Sequence, residues 1–503
     1  MALMRTVLKW VFRVALLGIV ALLFVWLAIR VPRAYYRRQA LQLPSSFVVE
    51  NAPVIALVHA RVIDGTGAAP LEDQTIVINA GRIVALGPAT TISVPEGARA
   101  IDVRGKTIIP GLVMMHEHMY TTSSSIRAAL HHEARLQGEN VPYPLMYLAA
   151  GVTTARTAGS IDGDADLALK HAIDTGQRPG PDLDTTAPYL EGKPALADGF
   201  SFRQMRQLSG PEDAKQSVDN WAARGMTSFK AYMNITPAEL KAAIDEAHTK
   251  GLKLTGHLCS VGFTEAADMG IDDFEHGLAV DTEFDPAKQP GVCPQDAGEE
   301  YFDETLDVKG APVQALIKHL VEKHVAVTST MAVFEDFSGH NQPLDLMRDR
   351  EERVMGLRSW LMYRMIRSRT AKHPLSRTVA KEMEFERDFA AAGGLLLAGC
   401  DPTGDGGTLA GYGDQRELEL LVEAGFTPVE AIHIATQNGA EYLGRTALIG
   451  SVAIGKQADL VVIDGDPVRN ISDIRKTETV YRNGIGYSSA KLFGAVRGLD
   501  GVN

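Results

Sequence analysis

Cysteine is scarce in this chain: Cys259, Cys293 and Cys400 are the only three in 503 residues. Three thiols cannot build the disulfide framework that staples small secreted domains, and they leave the redox compartment undecided. An excess of positive charge is also missing. The balance of 50 Lys and Arg against 62 Asp and Glu gives a net charge of −12. No zinc-finger or RNA-binding motif occurs either, so nucleic acid is not the expected partner. What is present is ordinary for a folded globular chain, with 45% apolar and 22% charged residues. A chain of this length exceeds one simple core, and a large catalytic domain with an accessory domain is expected.

The N-terminal region carries one long apolar run, from Val14 to Ile29, with Arg5, Lys9 and Arg13 before it and Arg30, Arg33, Arg37 and Arg38 after it. Sixteen residues at ~1.5 Å each span ~24 Å, slightly less than a ~30 Å hydrocarbon core. Arg13 and Arg30 can snorkel, and Trp10, Trp26, Tyr35 and Tyr36 suit the interfacial belts. A cleaved signal peptide is the rival, but no small-x-small cleavage site follows Ile29. The expectation is an uncleaved single-pass transmembrane anchor over 1–31, a tether over 32–52 and a cell-membrane location. Basic residues on both flanks leave the orientation unsettled, with the extracytoplasmic side slightly favoured.

Short Val- and Ile-rich runs follow: Val54 to Ile63, Gln74 to Ile78 and Arg82 to Leu86, separated by Asp64-Gly65-Thr66-Gly67 and Asn79-Ala80-Gly81. This texture signals antiparallel strands joined by glycine-based turns. It returns in Ala458 to Pro467 and Thr479 to Asn483. Two β-rich pieces at opposite ends predict one small β-sandwich domain, built from 53–108 and 445–492, with a tail over 493–503.

Between them, over 109–444, strands and helices alternate. Apolar runs end near His118, Thr157, Ala187, Lys230, His257, His276, Thr330 and Asp401, with helical segments such as Pro211 to Arg224 and Thr236 to Lys250 between them. Thr236-Pro237-Ala238-Glu239 has Thr at N-cap, Pro at N1 and Glu at N3 of a helix. Eight such units predict a (β/α)8 TIM barrel, an α/β fold whose chemistry sits at the strand C-termini. Long connections after Ala187, His276 and Thr330 lie on that face.

The strand ends carry the chemistry. Pro110 to Met115 is a largely apolar run that ends in His116-Glu117-His118, and residues i and i+2 of a strand share a face. The two imidazoles can therefore aim at one point while Glu117 faces away. The fourth strand ends in Lys230, the fifth in His257, the sixth in His276 and the eighth in Asp401. Four histidines, an aspartate and a lysine around one barrel mouth make a divalent-metal site the expected reading.

These residues resemble the amidohydrolase superfamily, closest to its imidazolonepropionase-like and Xaa-Pro-dipeptidase-like branch. Pro110-Gly111-Leu112-Val113 before His116-Glu117-His118, Gly151-Val152-Thr153-Thr154, Gly399-Cys400-Asp401, Thr436-Gln437-Asn438-Gly439-Ala440 and Gly455 to Leu460 carry the resemblance, which covers roughly 53–490. It implies two divalent metal ions, with zinc the default for a His-rich site and manganese, cobalt or iron also admitted. By similarity His116, His118 and Asp401 hold one ion, His257 and His276 the other, and a Lys230 carboxylated by CO2 bridges both. Burial favours a neutral lysine, which can react with CO2 to give an anionic, two-oxygen bridge. The resemblance further implies attack by a metal-bridging hydroxide on an amide carbonyl, with Asp401 as the catalytic proton shuttle.

Superfamily deaminases carry a glutamate three residues after the fifth-strand histidine. Here that position is Ser260, which together with Lys230 favours amide hydrolysis over deamination. The expected substrate is a small-molecule dipeptide or N-acyl amino acid, followed by cyclic amides and lactones. A non-catalytic membrane-tethered binding protein is the alternative from another class. Tyr232 is a candidate substrate-binding donor, set against simple packing. His131-His132 reads as a solvated helix face, Cys400 as packing, and the basic stretch 347–369 as an amphipathic helix. A homo-oligomer is left open.

Overall fold

The computed structural model describes residues 10, 13, 16–20, 44–119, 121–122, 134–135, 142–193, 205–294, 296–338, 377–402 and 408–498. His131, His132 and the basic stretch 347–369 lie outside them. The expected membrane-spanning helix is corrected. Among the described residues no helix is long and apolar enough to cross a membrane. The run Val14 to Ile29 is itself shorter than the ~30 Å that a span requires. The single-pass anchor, the membrane partner and the membrane location inferred from that run fall with it. Most of 1–43 lies outside the described residues.

Eight short parallel strands form the barrel: β1 (Leu112–Glu117), β2 (Val152–Thr157), β3 (Asp182–Asp184), β4 (Ser228–Ala231), β5 (Lys253–Gly256), β6 (Asp273–Glu275), β7 (Ala326–Ser329) and β8 (Leu396–Ala398). Ladders join β1 to β2 to β3, and β4 through to β8. Two further contacts close the ring. Parallel bridges pair Thr186 with Ser228 and Leu190 with Ala231, and the amides of Cys400 and Asp401 both donate to the His116 carbonyl, at 3.3 and 3.1 Å. That second seam requires Gly399, because a Cβ there would lie 2.5 Å from the His116 Cβ.

Nearly every strand residue is buried, as expected where helices cover a parallel sheet. Each fully buried large apolar side chain contributes roughly 1.5–3 kcal/mol. Phe263, on the helix Phe263–Met269, stacks on Phe274 of β6 with ring centres 3.7 Å apart. The helix Pro237–Thr249 starts as its sequence predicts, with a complete Thr236/Glu239 capping box.

The accessory unit is one hydrogen-bonded sheet of nine strands drawn from both chain ends. Thr107–Pro110 runs antiparallel to Leu460–Ile463, so the strand that leads directly into β1 is held by the C-terminal segment. Ile55, Ile76, Ile108, Leu460 and Val462 form part of its own apolar core.

Candidate active site

His116 is the penultimate residue of β1 and is fully buried, with His118 just beyond the strand. Their rings meet edge to face, 5.3 Å between centres. Asp401 follows β8 with a left-handed backbone, φ 51°, a conformation costly for a residue with a Cβ. The two hydrogen bonds from the Cys400 and Asp401 amides to the His116 carbonyl hold this turn. Its carboxylate lies 3.0 Å from His118 Nε2 and 3.6 Å from His116 Nε2. His276 follows β6, also left-handed at φ 73°, and its Nδ1 is 3.8 Å from Asp401. A 2.8 Å hydrogen bond between Nδ1 and Thr330 Oγ1 fixes the His276 ring. The His257 ring lies 4.6 Å from that of His276 and 5.1 Å from that of Tyr232.

Lys230 is buried at the end of β4. Its Nζ makes an ion pair with Glu275 and sits 5.5 Å from the ring centre of Tyr189 and 5.9 Å from that of Tyr232. Strand alternation would turn Glu275 to the face opposite its neighbour His276, but its side chain points into the cluster. Its Oε2 also lies 3.4 Å from His116 Nδ1. Its Oε1 accepts from Thr255 Oγ1 at 2.7 Å and from Arg156 Nη2 at 3.4 Å. Glu117 does face away, and there it accepts the Cys400 amide at 3.2 Å. Cys400 packs between Glu117 and Asp414.

Electrostatics matches this geometry. Burial, reinforced by the Lys230 charge, lowers His116 to about 4 and His257 to about 3. Burial also pushes His276 well below its ordinary value. Neutral imidazoles keep the lone pairs that a metal needs. Burial opposes ionisation of Asp401, but His116 and His118 outweigh it and hold its carboxyl well below the usual range. Burial likewise opposes ionisation of Glu275, and Lys230, His116 and Arg156 overcome it.

A divalent ion fits these residues. Donor atoms of His116, His276 and Asp401 lie within 4.8 Å of one another. Both ring nitrogens of His116 are buried without a hydrogen-bond partner, and leaving such groups uncompensated is costly. Sequence reasoning missed Glu275, Arg156, Thr330 and Tyr189. A signal existed for Arg156 alone, since an arginine inside the buried run Val152–Thr157 demands a carboxylate partner.

The Amidohydrolase family model matches residues 107–485. The chain belongs to that family and is a hydrolase of carbon–nitrogen bonds of the amide type. Among curated relatives, an imidazolonepropionase of Geobacillus thermodenitrificans is 24% identical over 465 residues, 84% of this chain and 94% of the relative. Among solved structures, a putative prolidase from Bifidobacterium longum is 25% identical with a TM-score of 0.61, covering 87% of this chain and 95% of that one. A Xaa-Pro dipeptidase with bound methionine, 19% identical over 86% of this chain and 100% of its own, shares the fold at a TM-score of 0.64.

Proposed function

We propose that this chain is a two-metal amidohydrolase that cleaves the amide bond of a dipeptide or N-acyl amino acid. The observation that carries the reading is the buried convergence of His116, His276 and Asp401, with both His116 nitrogens lacking a hydrogen bond. His116, His118 and Asp401 would hold one ion and His257 and His276 the other. Lys230, carboxylated on Nζ by CO2 with release of one proton, would bridge them, and zinc is the default ion. Such ions supply Lewis acidity at a carbonyl and lower the pKa of water towards ~7.

The chain's own groups do the rest. Asp401 stays ionised beside neutral imidazoles, so it can take a proton from the attacking water and return it to the leaving nitrogen. Tyr232 borders His257 and is proposed to donate its hydroxyl to the substrate. Amide hydrolysis rather than deamination is supported by Ser260. It is buried, donates its Oγ to the Ile235 carbonyl at 2.5 Å, and so occupies no acid–base position.

The test is a hydrolysis screen of purified protein, metal-loaded and chelator-treated, against dipeptides, N-acyl amino acids, cyclic amides and lactones. Release of an amine from the first two classes, abolished by the chelator and restored by zinc, is expected. Turnover that survives complete metal removal sinks the proposal.

A further inference from the structure

The loops that follow β4, β5 and β6 are bound into one wall beside the site. Ser260, after β5, donates its amide to the Met233 carbonyl at 2.8 Å and its hydroxyl to the Ile235 carbonyl, both after β4. The loop after β6 is tied to the same segment. Thr282 Oγ1 donates to the Cys259 carbonyl at 2.6 Å. Lys288 Nζ donates to the Ser260 carbonyl at 2.6 Å and to that of Val292 at 2.7 Å. A disulfide between Cys259 and Cys293, with Cα atoms 4.9 Å apart, closes the wall covalently. Both cysteines pack with Met233, and Tyr232 rests against that cluster. Cys259 lies two residues after His257.

We propose that the Cys259–Cys293 disulfide is a positioning element for Tyr232 and His257, so that its reduction loosens this wall and impairs the site. The inference rests on the hydrolase reading for its catalytic consequence, though not for the loosening itself. Among the described residues the other ties from the β6 loop to the segment after β5 are hydrogen bonds, among them those from Thr282 to Cys259, from Lys288 to Ser260 and from the Thr264 amide and hydroxyl to Glu283, which open far more readily than a covalent bond. The covalent link is the one that holds while the others open. Displacement of a positioning group by about 1 Å costs on the order of 10²-fold in rate, which sets the scale of the effect.

A water-soluble phosphine is the suitable reductant, because a dithiol also chelates metal. The phosphine gives two electrons to the S–S bond. Its phosphorus takes oxygen from water to become the phosphine oxide, and the two protons of that water end on the cysteine sulfurs. Full-length metal-loaded protein, unfolded without reductant, should show one titratable thiol, that of Cys400, and three after phosphine. In the folded protein, phosphine should expose the 281–298 loop to limited proteolysis and lower kcat/KM at least about 10-fold, with reoxidation restoring both. The doubly substituted Cys259→Ser, Cys293→Ser protein should start in the impaired state and ignore phosphine. Three thiols before reduction, or unchanged proteolysis and kinetics after it, overturn the proposal. If no substrate is hydrolysed at all, the amidohydrolase reading fails while thiol count and proteolysis still decide the loosening.

Discussion

Glu275 and His276 are neighbours in sequence, yet both side chains reach the same cluster: Glu275 Oε2 lies 3.4 Å from His116, and His276 Nδ1 lies 3.8 Å from Asp401. On a regular strand one of them would face away. The left-handed backbone of His276 breaks the alternation. The result is a buried carboxylate shared by Lys230, Arg156 and Thr255, set beneath the candidate ligands.

Glu275→Gln tests that sharing. The substitution leaves Lys230 and part of Arg156 as buried cations without their carboxylate. Removing one partner of a buried pair costs about 3–5 kcal/mol. Calorimetry of chelator-treated protein should therefore give a Tm several degrees below that of the parent. An unchanged Tm would mean that the ion pair is energetically idle.

Asp401→Asn should fold and keep most of its metal, since an amide oxygen remains a weak ligand. Its kcat should fall at least ~10²-fold, the usual scale for losing a general acid–base group. The acidic limb of the pH–kcat profile should change with it. A near-parental rate with an unaltered profile would remove Asp401 from the proton-shuttle role.

Lys230→Ala should bind at most one ion per chain, measured by atomic emission on desalted protein. Short carboxylic acids added to this variant should restore part of the activity by replacing the bridge. Two tightly held ions with normal turnover would sink the bridging role.

The fourth prediction concerns stability and pH. Glu386 is fully buried, and burial followed by Glu382 and Glu417 raises its pKa well above the ordinary value. The folded protein thus holds a proton that the unfolded chain releases above about 4.5. The unfolded state then binds fewer protons, so this group costs stability increasingly as pH rises from there to its folded pKa. Glu386→Gln should match the parent near pH 4 and exceed it in Tm at pH 8. A Tm difference independent of pH would show that Glu386 carries no such proton.

Much of this arrangement was legible in the chain. Strand ends fell within a few residues of those observed because Val- and Ile-rich runs alternate with capped helices, as at Thr236 and Glu239. His116, His118, His276 and Asp401 converge because strand C-termini share one barrel face. The inward turn of Glu275 was not legible, since nothing in Asp273-Phe274-Glu275-His276 announces a left-handed residue. The cysteine pair was not legible either. Cys259 and Cys293 are 34 residues apart, and only the folding back of the β6 loop brings them together. The apolar run Val14 to Ile29 was read as a membrane span, whereas among the described residues no helix is long and apolar enough to cross a membrane.

The pairing of Thr107–Pro110 with Leu460–Ile463 has a consequence for how the protein is made. The Thr107 hydroxyl donates to the Gly465 carbonyl, 358 positions further along. All 358 of those positions must leave the ribosome before this edge finds its neighbour. During synthesis the strand that precedes His116 waits with an open backbone, the kind of edge that recruits foreign strands. Prematurely terminated products ending before Leu460 should collect as aggregates.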